Sequence, residues 1–121
     1  MAKTDYLFYH MFLVFKTENW WWSIEKVRKG LILQRRKKES DVRDNRGGEK
    51  RKPGPIEQMK ASDARHSVKE LIEWLHDTKE LDRAYNVLTD NCQHFGSRVY
   101  NFLTEIDESD FFKVACATPI K

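Results

Sequence analysis

Hydrophobic and polar positions change period along the chain, and the changes mark its elements. Tyr6 to Phe15, YLFYHMFLVF, is an aromatic and aliphatic run with no breaker, and predicts a buried strand with His10 in its middle. Lys16-Thr17-Glu18-Asn19 is a polar turn, Trp20 to Val27 predicts the returning strand, and Leu31-Ile32-Leu33 opens a third after the Lys29-Gly30 turn. An antiparallel meander is the simplest assembly of the three. Ser67-Val68-Lys69-Glu70 has the form of a capping box. Val68, Leu71, Ile72 and Leu75 follow at one-face spacing, so a helix is predicted from Ser67 to His76 or a little beyond, with His66 and His76 as surface histidines at its ends. Tyr85, Val87 and Leu88 form a short β-prone piece, after which Phe95, Val99, Phe102 and Leu103 recur at helical spacing. The switch falls on Asp90-Asn91-Cys92-Gln93. Asp90 is the predicted N-cap, with Gln93 three positions on, which puts Cys92 in the first turn of an apolar-faced helix. Phe111 to Ala115 would add a short edge strand or pack on the core.

Arg35 to Pro55 breaks this patterning. It carries nine basic and four acidic residues, punctuated by Gly47-Gly48 and Pro53-Gly54-Pro55. Such a composition predicts a solvated, mobile basic loop at about 35–55 that the core does not need. The alternative is a docking surface for phosphates or anionic lipid headgroups, which the interspersed acids weaken.

A length of 121 residues suits one domain, 1–121, and 40% hydrophobic residues suffice for a packed core. The net charge of +3 is too small to argue for nucleic acid, which is not an expected partner. No secretory signal is visible, and no apolar stretch approaches the roughly 18–20 residues that span a bilayer. A cytoplasmic or other intracellular, reducing setting is expected, with Cys92 and Cys116 as thiols; a disulfide between them is the other possibility.

Cys92 draws attention because a thiol in the first turn of a helix feels unpaired backbone N–H groups and the positive end of the dipole. The dipole contributes about 0.3–1 kcal/mol, less than the 1.4 kcal/mol that one unit of pKa requires. An activated thiol therefore needs a histidine; without one, Cys92 reads as a small buried apolar residue. His94, two residues on, points to a different side of a helix and is better placed as a cap. His10, in the predicted buried strand, needs a polar partner there and would meet Cys92 if the helix starts over that strand. His10, Cys92, His94 and Cys116 include metal-binding atoms, but without recognisable ligand spacing; no metal or other cofactor is expected.

The segment Asn91-Cys92-Gln93-His94-Phe95, preceded far upstream by His10 in HMFLVF, resembles the lecithin:retinol acyltransferase-like (H-box/NC) proteins of the permuted papain-like, NlpC-type superfamily. The resemblance covers most of the chain from Tyr6 to Leu103. It implies an α+β fold: a small antiparallel sheet packed on a helix with the cysteine at its N-terminus. It also implies a cysteine-dependent acyl hydrolase or acyltransferase acting through a thioester acyl-enzyme on an acyl-bearing substrate, lipid or peptide-like. Cys92 would be the nucleophile, His10 the general base, and the Cys92 N–H part of an oxyanion hole.

The chain departs from the family at two points. The position matching the family's third polar residue is Trp22, which cannot orient an imidazole. If the first hairpin turns tightly about Thr17-Glu18, His10 faces Glu25, and Trp21, Ser23 and Glu25 share its side of the sheet. Glu25, or more weakly Ser23, would then orient His10; the bland alternative for Glu25 is an exposed strand residue paired with Lys26 or Arg28. A C-terminal hydrophobic anchor, common in membrane-acting members, is also missing; the basic loop would have to stand in at an anionic membrane surface. A second reading is therefore a catalytically silent binding module that holds a protein or anionic partner through the basic loop or Trp20-Trp21-Trp22. The three tryptophans themselves fit either a half-buried strand or a wall for an acyl chain.

Overall fold

The computed structural model describes residues 9–51, 57–58, 61–86, 89–105 and 116–119. Strands β1 (Tyr9–Lys16), β2 (Trp21–Val27) and β3 (Gly30–Arg36) form the antiparallel meander. Two short strands, β6 (Glu57–Gln58) and β7 (Cys116–Pro119), complete a five-stranded sheet in the order β3-β2-β1-β7-β6. Helices α1 (Glu39–Arg43), α2 (Val68–Asp77) and α3 (Cys92–Thr104) pack around it. The protein is thus α+β, with an antiparallel sheet and a few helices. Tyr6–Phe8, Val87–Leu88 and the Phe111–Ala115 segment lie outside the described residues.

The first hairpin is wider than expected. Thr17 N–H donates to Trp20 C=O at 2.9 Å, and the register pairs Leu13 with Ile24 and Lys16 with Trp21. Each partner lies two positions further along than a turn about Thr17-Glu18 would give. A shift of two leaves every side chain on its original face, because the strand period is two. Glu25 therefore still shares the face of His10, although it does not stand directly across from it.

Strand β1 changes neighbours along its length. It pairs with β2 over Leu13–Lys16 and with β7 over Tyr9–Phe12, on the opposite edge. Among the described residues, no strand pairs with the β2-side edge of Tyr9–Phe12. Helix α3 lies against β1 and β2, burying Phe95 and Val99 on Leu13 and Ile24, with Leu71 and Leu75 of α2 closing the same core. Gly96 permits the approach: a Cβ there would stand 2.7 Å from Met11 Sδ and 3.4 Å from Leu13 Cδ1. Helix α2 is capped as predicted, Ser67 Oγ accepting from Glu70 N–H at 3.1 Å and Glu70 Oε1 accepting from Ser67 N–H at 2.9 Å. His76 is exposed, but His66 is half-buried and stacks on Phe102 with ring centroids 4.3 Å apart.

The other face of the sheet is covered by the segment that composition predicts to be a solvated loop. Arg35 and Arg36 extend β3, residues 39–43 form α1, and β4 (Asn45–Arg46) and β5 (Glu49–Lys50) form a tight hairpin. Gly47 and Gly48 have φ of +63° and +84°, the two left-handed residues that a two-residue hairpin turn favours. Val42 is fully buried, and Gln34 ties the segment down, donating to Ser23 Oγ and Asn45 C=O at 2.9 Å each and accepting from Gly47 N–H at 3.0 Å. Composition misses this because the stretch needs one buried valine and a buried carboxylate to attract its arginines, not a long apolar run. Residues 52–56 lie outside the described residues.

Candidate active site

The N-terminus of α3 is capped by Asn91 rather than Asp90. Asn91 Oδ1 accepts from Gln93 N–H at 2.9 Å and His94 N–H at 3.1 Å, and His94 Nδ1 accepts from Asn91 N–H at 3.2 Å. His94 is thus a capping group, and Cys92 is the first helical residue. Asp90 is engaged elsewhere: Arg83 Nε reaches it at 2.7 Å, Arg98 Nη2 at 2.8 Å and Lys26 Nζ at 3.2 Å. Burial raises the cost of its charge, but hydrogen bonds from the three cations hold its pKa well below the usual carboxylate range. Arg98 also grips Glu80 through both oxygens at 2.7 and 2.9 Å. This network fixes the turn before Cys92 to β2 and to the middle of α3.

The cap delivers the Cys92 sulfur to the β2-side edge of β1. Met11 N–H donates a hydrogen bond to the sulfur, and the His10 imidazole forms a second. His10 Nε2 meets Glu25 Oε2 at 2.5 Å, which leaves Nδ1 for the sulfur. The structure therefore brings Cys92, His10 and Glu25 together in the order thiol, imidazole, carboxylate. The alternative orienting residue, Ser23, is buried and takes its hydrogen bond from Gln34. Trp22 points its Nε1–H to Thr17 Oγ1 at 2.8 Å and stacks on Phe15, taking no part in the site.

Glu25 is 1% exposed and is not the surface residue paired with Lys26 or Arg28 that its neighbours allow. Arg46 Nη1 lies 3.0 Å from Oε2 and Arg51 Nη1 3.0 Å from Oε1. Arg51 is itself fixed: its Nε donates to Arg43 C=O at 2.9 Å, its Nη2 donates to Val42 C=O at 3.0 Å, and its guanidinium lies 3.7 Å from the Phe12 ring centroid. Burial pushes the Glu25 pKa up, but the His10 hydrogen bond and the charge of Arg51 outweigh it and lower the pKa to about 2.

The imidazole experiences the same competition with the opposite sign. Burial disfavours its charge, yet hydrogen bonds to Cys92 and Glu25 raise its pKa to about 9. Burial also pushes the Cys92 thiol up, and the hydrogen bonds from His10 and Met11 bring it below the ordinary thiol value. Each group thus favours the charged form of the other, the thiolate and the imidazolium.

Tyr85, which the sequence shows only as part of a β-prone piece, is the residue that sequence reasoning missed. Its hydroxyl takes a hydrogen bond from the Cys92 N–H and forms another with the sulfur, and Arg28 lies 5.5 Å from its ring centroid. Burial and the Cys92 charge raise its pKa, so the phenol remains a donor at neutral pH. The Cys92 N–H and the Tyr85 O–H thus both lie at the sulfur, the first engaged by the Tyr85 oxygen and the second by the sulfur itself. No local pattern around Tyr85 signals this role.

No group of three or more His, Cys, Asp or Glu among the described residues is arranged to hold a metal ion. Cys116 lies in β7, beside Phe12 in the register, but its side chain is outside the described residues. No helix among the described residues is long and apolar enough to cross a membrane. Comparison with protein-family models, with curated proteins and with solved structures finds no match.

Proposed function

We propose that the protein is a cysteine-dependent acyl hydrolase or acyltransferase with a permuted papain-like fold. The observation that carries the reading is a single imidazole bonded on one side to the Cys92 sulfur and on the other, at 2.5 Å, to a buried carboxylate. The topology supports it: the histidine comes first, on a strand, and the cysteine later, at the start of a helix laid on an antiparallel sheet.

Each group has a defined task. The Cys92 sulfur attacks the carbonyl carbon of an ester, thioester or amide, and the C=O electron pair moves to oxygen, to which the Cys92 N–H and Tyr85 O–H turn from the bonds they make to each other and to the sulfur. His10 holds the proton taken from the thiol and gives it to the leaving group as the C–O, C–S or C–N bond breaks. The thioester is then attacked by water or another acceptor, whose proton passes to His10, and the thiolate departs. Glu25 accepts the Nε2–H bond, fixing the tautomer and stabilising the imidazolium. Glu25 beside His10 also removes the feature that favoured a silent binding module, the lack of a polar residue at Trp22.

The test pairs a thiol-directed electrophile with intact-mass detection of acyl adducts, using ester, thioester and phospholipid donors. The unsubstituted chain should label at neutral pH and carry an acyl adduct on Cys92 that hydroxylamine removes. Cys92→Ala should do neither, and His10→Ala should label only at higher pH. Equal labelling of the unsubstituted chain and Cys92→Ala, or an unchanged pH profile in His10→Ala, would falsify the mechanism. An activated thiol that accepts no acyl group from any donor would restore the binding-module reading.

A further inference from the structure

Two groups of basic residues have opposite surroundings. Arg43, Arg46 and Arg51 all face carboxylates. Among the described residues, none of Lys16, Arg35, Arg36, Lys37 and Lys38 forms an ion pair; Arg36 and Lys37 instead donate to the backbone carbonyls of Arg35 and Asn19.

The register and the ring contacts set Lys16, Arg35, Arg36 and Lys37 beside the three consecutive tryptophans, and Lys38 follows next in the chain. Trp21 pairs with Lys16 on one side and Arg36 on the other, and Trp22 pairs with Phe15 and Arg35. The Arg35 guanidinium spans Trp20 and Trp22, at 4.0 and 5.7 Å from their ring centroids, and Lys37 Nζ lies 4.0 Å from Trp20. Lys16 Nζ lies 5.4 Å from Trp21, whose side chain alternates to the face opposite Trp22. All three indoles are half-buried. One end of the sheet thus carries aromatic rings on both faces with cations beside them, none of which forms an ion pair among the described residues.

We propose that this end of the sheet docks edge-on into the headgroup layer of an anionic phospholipid bilayer. Indoles settle at the headgroup level of a bilayer, and lysine and arginine extend their charged ends to lipid phosphates and carboxylates. A folded protein or a nucleic acid strand would contact one face; a lipid layer surrounds an inserted edge and uses both. Base stacking is further disfavoured because Arg35 and Lys37 already lie on the rings that bases would need. The inference stands on this surface alone and does not depend on the chemistry at Cys92.

The test is co-sedimentation of the full chain with vesicles of phosphatidylcholine, with or without phosphatidylserine, at an ionic strength of about 0.15 M. The chain should bind only the phosphatidylserine vesicles. In a Trp74→Phe background, which leaves indoles only at the docking surface, brominated lipids should quench the fluorescence. One basic residue near an anionic surface contributes about five-fold in partitioning, so Arg35→Ala with Lys37→Ala should cost roughly 25-fold. Lys16→Ala with Lys38→Ala, both exposed, should cost a similar factor and guards against a folding defect in the first pair. Absence of binding to phosphatidylserine vesicles, partitioning of either double variant equal to that of the unsubstituted chain, or unquenched fluorescence in the bound state each overturns the proposal. So does a single-stranded RNA that binds the chain while phosphatidylserine vesicles do not.

Discussion

Replacing Gly96 by alanine tests the closeness on which the candidate site depends. The added Cβ would stand 2.7 Å from Met11 Sδ and 3.2 Å from Met11 Cγ, against an ordinary separation of about 3.5–4.0 Å. Met11 is fully buried, so its side chain has little room to turn away, and α3 must retreat or Met11 must adopt a poorer rotamer. Alanine in a helix interior gains about 1 kcal/mol over glycine, while overpacking costs about 1–3 kcal/mol. The net expectation is a loss of about 0–2 kcal/mol where propensity alone predicts a gain. A loss of about 1 kcal/mol lowers a urea midpoint by roughly 0.3–1 M at constant slope. Cys92 lies one turn before Gly96, so the retreat also draws the sulfur from His10 and slows thiol labelling at neutral pH. Adding Met11→Ala supplies the missing space, and the double-mutant cycle should show coupling of about 0.5–3 kcal/mol in the direction of rescue. A higher midpoint in Gly96→Ala, or costs that simply add in the double variant, would refute the close approach of α3 to β1.

Three further outcomes follow from the same geometry. Glu25→Gln leaves Arg46 and Arg51 facing a neutral amide; stability should fall by about 3 kcal/mol in denaturant titration, and the upper pH limit of the imidazolium, followed by NMR of His10, should move down. Ser67→Ala and Asn91→Ala should each cost about 1 kcal/mol by removing a cap, but only Asn91→Ala should also slow Cys92 labelling, because only that cap positions the thiol. The pH dependence has two limbs. His10, raised from 6.5 to about 9, contributes stability in full below 6.5 and loses it as pH climbs through 9; Glu25, lowered from 4.5 to about 2, contributes in full above 4.5 and loses it as pH falls through 2. Thermal melts should therefore show the pair's contribution greatest between pH 4.5 and 6.5, and His10→Ala with Glu25→Gln should flatten both limbs.

The meander, the Ser67 cap and the α3 core face were legible because each rests on a local period or a three-residue spacing. The face shared by His10 and Glu25 was legible for a subtler reason: a strand period of two forgives a register error of two residues. The cap at α3 was misplaced by one residue because Asp90 and Asn91 are both good caps, and the choice between them is made by Arg83, Arg98 and Lys26, which are distant or indifferent in the sequence. The 39–51 segment was opaque because its arginines look like a solvated charge run until a buried carboxylate is known to lie beneath them. Tyr85 was opaque because a hydroxyl's neighbour across the fold leaves no trace in nearby residues.

The change of neighbours along β1 has a consequence for how the strand opens. The half of the strand that carries the imidazole is bordered by residues 116–119, the last of the described segments in the chain. The Leu13–Lys16 half pairs with the neighbouring hairpin strand, whereas the Tyr9–Phe12 half depends on a strand from about a hundred residues further along the chain. Amide exchange at His10 and Phe12, whose N–H groups face β7, should therefore report on a different opening event from exchange at Leu13 and Phe15, whose N–H groups face β2.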